Sequence, residues 1–270
     1  MNSLRLLVID PQNDFMDIDG AALPVPGAGA DMGRLAGFID TLQAQIDDIV
    51  VTLDSHPGVG IERTTFWSTG SGGPVAAFTP ITAAAARAGT YTARDPARRG
   101  ETLAYLDALE SASGRTLIVW PVHCVLGTWG HNIQATLATS LAGWEVTRSR
   151  NCDKVLKGQH PMTEQYSAFR AEVPRTDDVR TQVNTALLAR LAAGTGTLLV
   201  AGEALSHCVA ASGDDMLAHM GDAALRNCVF LTDCMSPVPG FEADGQQFLA
   251  RLHGRGVRTM TTARALEELA

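Results

Sequence analysis

Leu4-Arg5-Leu6-Leu7-Val8-Ile9-Asp10-Pro11-Gln12-Asn13-Asp14-Phe15 begins with an apolar run that stops on a carboxylate, and this stretch decides the fold class. A short apolar run closed by polar residues and proline reads as a strand buried on both faces. The pattern returns at residues 48–53, 116–120, 145–148, 197–201 and 228–232, with a last short strand at 257–260. Between these runs lie Ala- and Leu-rich segments of helical period, at 31–45, 100–111, 132–142, 178–193, 205–220, 240–253 and 262–269. Strands alternating with helices give a parallel sheet covered on both faces. The expectation is α/β: a three-layer α/β/α unit with a mostly parallel, Rossmann-like sheet of about six strands.

The alternation runs the length of the chain without a linker or internal repeat, which predicts one domain over residues 1–270. Residues 68–100 break the rhythm. They carry Gly70, Gly72, Gly73, Pro74 and Pro80 with no clear strand, and read as an irregular excursion over the active site.

Composition removes several classes of function. The net charge is −8 with no basic run, which argues against a nucleic-acid partner, since binding the phosphate backbone needs clustered Lys and Arg. The longest apolar stretches fall far short of the ~20 residues that cross a bilayer, so no membrane partner is expected. The first apolar run ends at Asp10 without a small-residue cleavage site, which makes cytoplasmic residence the default expectation. Cys124, Cys152, Cys208, Cys228 and Cys234 are odd in number and form no C-x-x-C pair, as expected of reduced thiols.

In open α/β sheets, ligands gather beyond the carboxyl ends of the strands, so polar residues just after apolar runs come first. Asp10, Asp54, His123 and Cys208 each stand in such a place. Cys208 follows a tight strand-to-helix turn, where the first helical N–H groups could favour a thiolate and hold an oxyanion. The plainer reading of a lone thiol there is a compact hydrophobe at the start of a buried helix. The other four cysteines keep that reading.

Taken in order, V-I-D-P-Q-N-D-F, D-S-H-P, W-P-V-H-C, K-G-Q-H with Y-S-A-F, and G-E-A-L-S-H-C-V resemble the motif series of nicotinamidases and related isochorismatase-like hydrolases. The five motifs run from Val8 to Val209. The resemblance implies an isochorismatase-like hydrolase fold and an Asp-Lys-Cys triad falling on Asp10, Lys157 and Cys208. Asp10 would take the thiol proton, Lys157 would stabilise the thiolate and keep Asp10 ionised, and Cys208 would attack an amide carbon. The expected products are a carboxylic acid and ammonia, by way of a thioester. Lys154 is the nearest alternative to Lys157 and reads as a solvated lysine.

The family also implies a cis peptide before the nucleophile, expected here between Ala204 and Leu205, with backbone N–H groups of this turn as the oxyanion hole. The triad needs no cofactor. Nicotinamidases also bind a divalent ion, often zinc, that meets the pyridine nitrogen of the substrate through an Asp-x-His pair and a further His. Asp54 and His56 match the pair, but the position of the further His is expected at Arg63, which cannot ligate. Either Glu62 supplies an oxygen, or Arg63 pairs with Asp54 in place of the ion; the second is the expectation here. Phe15, Trp67, His123 and Tyr166 are the expected substrate pocket, with His123 a hydrogen-bonded wall rather than a ligand. His131, His160 and His207 match no metal motif, and Gly127-Thr128-Trp129-Gly130 lacks the spacing of a phosphate loop. The expected partner is a small amide, nicotinamide or a relative, with self-association into a homo-oligomer. The alternatives are a metabolite-binding protein on the same fold and an isochorismatase-type vinyl-ether hydrolase, the latter disfavoured by Cys208.

Overall fold

A computed structural model describes residues 3–194 and 196–269. Ten strands are present among them: β1 Leu4–Ile9, β2 Ile46–Asp54, β3 Trp67–Thr69, β4 Thr79–Ile81, β5 Tyr91–Ala93, β6 Leu117–Val119, β7 Asp153–Lys157, β8 Thr197–Gly202, β9 Cys228–Leu231 and β10 Arg258–Met260. The helices are α1 Ala28–Leu42, α2 Ala83–Arg87, α3 Arg99–Ser113, α4 Ala135–Arg148, α5 Thr185–Ala192, α6 Ala210–His219, α7 Asp222–Arg226, α8 Glu242–Gly254 and α9 Thr262–Leu269. Six strands form the central sheet in the order β10-β9-β8-β1-β2-β7. Every pairing in it is parallel.

Side chains alternate across a strand, so β1 feeds two cores at once. Leu4, Leu6 and Val8 pack with Met32, Leu35, Phe38 and Ile39 of α1 and with Leu137, Leu141 and Trp144 of α4. Leu7 and Ile9 face the other way, toward Leu187 and Leu191 of α5, Met216 of α6 and Phe248 and Leu252 of α8. Each of these side chains is nearly or fully buried, which is worth ~1.5–3 kcal/mol per large apolar residue. This is the expected three-layer architecture, centred on β1.

Three expectations are corrected. Residues 145–148 are the last turn of α4, not a strand, and the strand at that sheet edge is β7 instead. Only Lys157 of β7 is buried, so an edge strand flanked by solvent left no apolar run to read. β6 lies where a strand was expected but pairs antiparallel with β4, outside the central sheet. Nor is the 68–100 segment strandless: it carries β4, α2 and β5, and with Trp67, Leu106, Leu117, Val119 and Met162 it encloses a third apolar cluster. At residues 178–193 a short turn at Val179–Thr181 precedes the helix, which starts at Thr185. No helix among the described residues is long and apolar enough to cross a membrane.

Candidate active site

Parallel strands end together, and β1, β2, β7 and β8 deliver Asp10, Asp54, Lys157 and Cys208 to the same edge. The β2–β7 register sets Asp54 directly opposite Lys157. Asp10 follows Ile9 in the left-handed region (φ 43°), held there as its N–H donates to the Thr52 carbonyl at 3.2 Å. The Thr52 hydroxyl donates to Asp10 Oδ1 at 2.5 Å. β8 closes on Gly202, at φ 120°, where a Cβ would lie 2.0 Å from the Ile9 carbonyl oxygen; only glycine lets β8 turn this close to β1. The chain then enters a π-helical turn, Leu205–Val209, in which Val209 N–H reaches the Ala204 carbonyl.

Lys157 Nζ is the centre of the arrangement. It stands 2.9 Å from Asp10 Oδ2, 3.0 Å from Asp54 Oδ1, 3.0 Å from the Gln165 carbonyl and 3.6 Å from Cys208 Sγ. All four side chains are buried. Burial alone would lower the lysine, but Asp10, Asp54 and the sulfur raise it well above the usual range, so it is a fixed ammonium. Burial likewise works to raise Asp54, but His56 and Lys157 hold its carboxyl well below the usual range. Asp10 goes the other way. Its desolvation outweighs Lys157, the Asp54 charge adds to it, and its affinity for a proton rises. Burial also pushes the Cys208 thiol up, with Asp10 and Asp54 opposing the pull of Lys157. Lys157 Nζ is the group that donates to the Cys208 sulfur, at 3.6 Å.

The cis peptide is Glu203–Ala204, one residue before the expected bond. Leu205 N–H donates to the Ser236 carbonyl at 2.9 Å and is not available to an oxyanion, whereas Ala204 lines the cavity beside Cys208. Of the two residues expected to form the oxyanion hole, Ala204 lines the cavity and Leu205 has its N–H committed to Ser236.

That cavity is also walled by Phe15, Leu23, Trp120, His123, Glu164, Tyr166, His207 and Val238. Phe15, His123 and Tyr166 are where they were expected. Trp67 is not: it is fully buried in the third cluster, with its indole N–H donating to the Ile61 carbonyl. The tryptophan at the cavity is Trp120 of W-P-V-H-C, whose indole donates to Tyr166 Oη at 2.9 Å. Trp120 follows an apolar run and Trp67 the polar stretch Glu62 to Thr65, but packing is what sets one at the cavity and the other in the core. Glu164 was also missed. Its carboxyl is pushed up to about 8 by burial and by the Glu62 charge, and no salt bridge to it occurs among the described residues. None of residues 68–100 lines this cavity, and the nearest approach is Phe78 edge-on to Trp120.

The metal expectation changes most. Asp54, His56 and His123 bring one donor atom each within 4.8 Å of one another. His56 Nε2 is 2.7 Å and His123 Nε2 3.3 Å from Asp54 Oδ2. On the opposite ring nitrogens, His123 Nδ1 is 2.8 Å from the Pro121 carbonyl, and His56 Nδ1 lies 3.2 Å from Glu62 Oε1 without hydrogen-bond geometry. Both Nε2 atoms face the same carboxylate, the arrangement that suits a divalent ion. The third donor-capable atom beside Asp54 and His56 thus comes from His123, not from position 63. Arg63 does not pair with Asp54; its Nε donates to Glu62 Oε1 at 2.8 Å. Gly158, at φ 74°, permits the approach of β7: a Cβ there would meet His56 Cε1 at 2.8 Å and Asp54 Oδ1 at 2.9 Å.

No protein-family model and no curated protein sequence matches the chain. Solved structures do. A nicotinamidase/pyrazinamidase from Acinetobacter baumanii aligns at 20% identity and TM-score 0.65, covering 98% of each chain. The pyrazinamidase of Pyrococcus horikoshii, in complex with zinc, aligns at 20% identity and TM-score 0.58 over 96% of this chain and 99% of that one. An isochorismatase family protein from Desulfovibrio vulgaris aligns at 18% identity and TM-score 0.55 over 100% and 98%. The fold is the one these nicotinamidases and isochorismatase-like proteins share.

Proposed function

We propose that the protein is a cysteine amidase of the nicotinamidase/isochorismatase-like type, which cleaves a small primary carboxamide, nicotinamide or a related amide, to the acid and ammonia. The observation that carries this reading is the meeting of Asp10 and Cys208 around the Lys157 ammonium at the wall of a small cavity. The raised proton affinity of Asp10 suits it to be the base that takes the Cys208 proton.

Asp10 takes the Cys208 proton as the sulfur bonds to the amide carbon, and the carbonyl electron pair moves onto oxygen. The backbone N–H groups of Ala204 and Cys208 hold that oxyanion. Lys157 keeps its charge throughout and stabilises first the thiolate, then the ionised Asp10. As the intermediate collapses, the C–N bond breaks and Asp10 returns its proton to the nitrogen, releasing ammonia. Asp10 then removes a proton from water, which attacks the thioester; the C–S bond breaks and the thiolate regains the proton. Asp54, His56 and His123 would hold a divalent ion, which supplies a Lewis-acid contact for a ring nitrogen of the substrate.

The test is Cys208→Ala with nicotinamide and a panel of small amides. Ammonia release should fall to background while the circular dichroism spectrum is unchanged. A Cys208→Ala protein that keeps wild-type turnover would end the reading.

A further inference from the structure

The cavity over Cys208 encloses about 30 Å³, room for one or two waters. Ligand sites in proteins run to roughly 300–1,000 Å³, so a single-ring amide enters this space only as its side chains shift, and a second ring has no room in it. A second cavity of about 370 Å³ lies against it, and the two share the side chains of Tyr166 and His207. The partition is aromatic. The His207 ring stands edge-on to Trp120 (centroids 5.1 Å), Tyr166 (5.3 Å) and Phe241 (4.7 Å). Beyond it, the outer cavity continues over Ile118, Phe241 and Ala210 to a rim that includes Thr116 and Gln247.

We propose that this outer cavity is a second substrate subsite, occupied by a neutral aromatic ring attached to the acyl side of the amide held at Cys208. The proposal rests on the amidase reading and names its substrate class as primary carboxamides with a second ring. The attacked carbon must sit within roughly 3–3.5 Å of the sulfur, so the body of a larger acyl group has to leave the inner cavity. The Tyr166 and His207 rings form the wall common to both spaces, and they offer faces and edges for stacking. Both guanidinium groups at the rim are already paired, Arg115 with Glu172 at 2.9 Å and Arg251 with Asp214 at 2.8 Å, so the rim does not call for an anion. His207 is half-buried and held neutral, its pKa pushed down to about 4 by desolvation and by Arg115, which suits an uncharged ring beside it.

The experiment compares kcat/KM for nicotinamide with that for phenyl-substituted nicotinamides, one isomer for each free ring carbon. It uses wild-type enzyme and the cavity-filling variants Gln247→Trp, on the exposed face of α8, and Thr116→Trp, from the side of β6. At least one phenyl isomer should match or exceed nicotinamide in the wild type. In either filled variant that advantage should drop by about tenfold or more, while nicotinamide stays within about twofold. If every isomer is poorer than nicotinamide, or the filling variants affect both substrates alike or neither, the subsite is overturned and the amidase reading stands. If nicotinamide and all the isomers go unhydrolysed, the amidase reading itself has failed, and the subsite with it.

Discussion

Replacing Lys157 with Met should cost more stability than any other single change at this site. The ammonium lies 2.9 Å from one buried carboxylate and 3.0 Å from another, and methionine fills its volume without its charge. Removing one partner of a buried pair costs about 3–5 kcal/mol, and two carboxylates lose theirs here, so the upper end applies. With a urea slope of ~2–3 kcal/mol/M, the unfolding midpoint should fall by about 1.7–2.5 M. The pH dependence follows from the direction of each shift. Lys157 is raised in the fold, so its contribution is whole below its unfolded value of 10.5 and is lost only as pH rises through the folded value. Asp54 is depressed, so its contribution is present above 3.8 and is lost as pH falls through its folded value. Asp10 is raised, so its ionisation costs stability at neutral pH, and that cost disappears as pH falls. Without Lys157 the Asp10 cost grows. The deficit of Lys157→Met should therefore be largest near pH 7.5 and smaller near pH 5.5, and Asp10→Asn in that background should restore part of it. Urea titrations followed by circular dichroism, with chelator present, measure all three. A variant as stable as wild type near neutral pH, or one whose deficit grows on acidification, would refute the reasoning.

Gly158→Ala places a Cβ against His56 and Asp54 in a left-handed conformation, so it should lose at least ~1 kcal/mol of stability and weaken zinc binding in a chelator competition. Unchanged affinity would show that this close approach is not required. His123→Ala should reduce divalent-ion affinity by at least about tenfold, while Arg63→Ala leaves the stoichiometry of bound metal unchanged. Elemental analysis of both variants after dialysis against zinc decides between position 123 and position 63 as the third corner. Glu203 is fully buried, and burial with the nearby Asp31 charge raises its carboxyl well above its usual 4.5, so the fold keeps a proton that the unfolded chain loses. Its share of stability should decline as pH rises from about 4.5 toward the folded value, and Glu203→Gln should flatten that slope in melting curves taken across pH.

Much of this site was legible in the chain because each functional residue of β1, β2 and β8 follows an apolar run that marks a strand end. What could not be read was whatever depended on contacts between distant segments. β7 is solvated over most of its length and gave no strand signal, although its last residue, Lys157, is buried at the centre of the site. His123 follows a strand outside the central sheet, and it reaches Asp54 because neighbouring positions bridge across, Val125 to His56 and Trp120 to Arg63. A separation of 69 residues carries no trace of that convergence. Trp67 and Trp120 illustrate the same limit, since both follow candidate motifs and only burial tells the core ring from the cavity ring. The cis peptide lies one residue before the expected bond, and the commitment of Leu205 N–H to Ser236 is a tertiary contact that the local sequence does not show.

β7 lies at the margin of the sheet, hydrogen-bonded along one side only, with charged residues toward solvent. Border strands of this kind open more readily than the interior. The lysine at the centre of the buried charge cluster thus rides on one of the two border strands of the sheet. Heat should silence the enzyme before it melts it, so residual activity would decline some degrees ahead of the main unfolding transition and return on cooling while the interior strands are still folded.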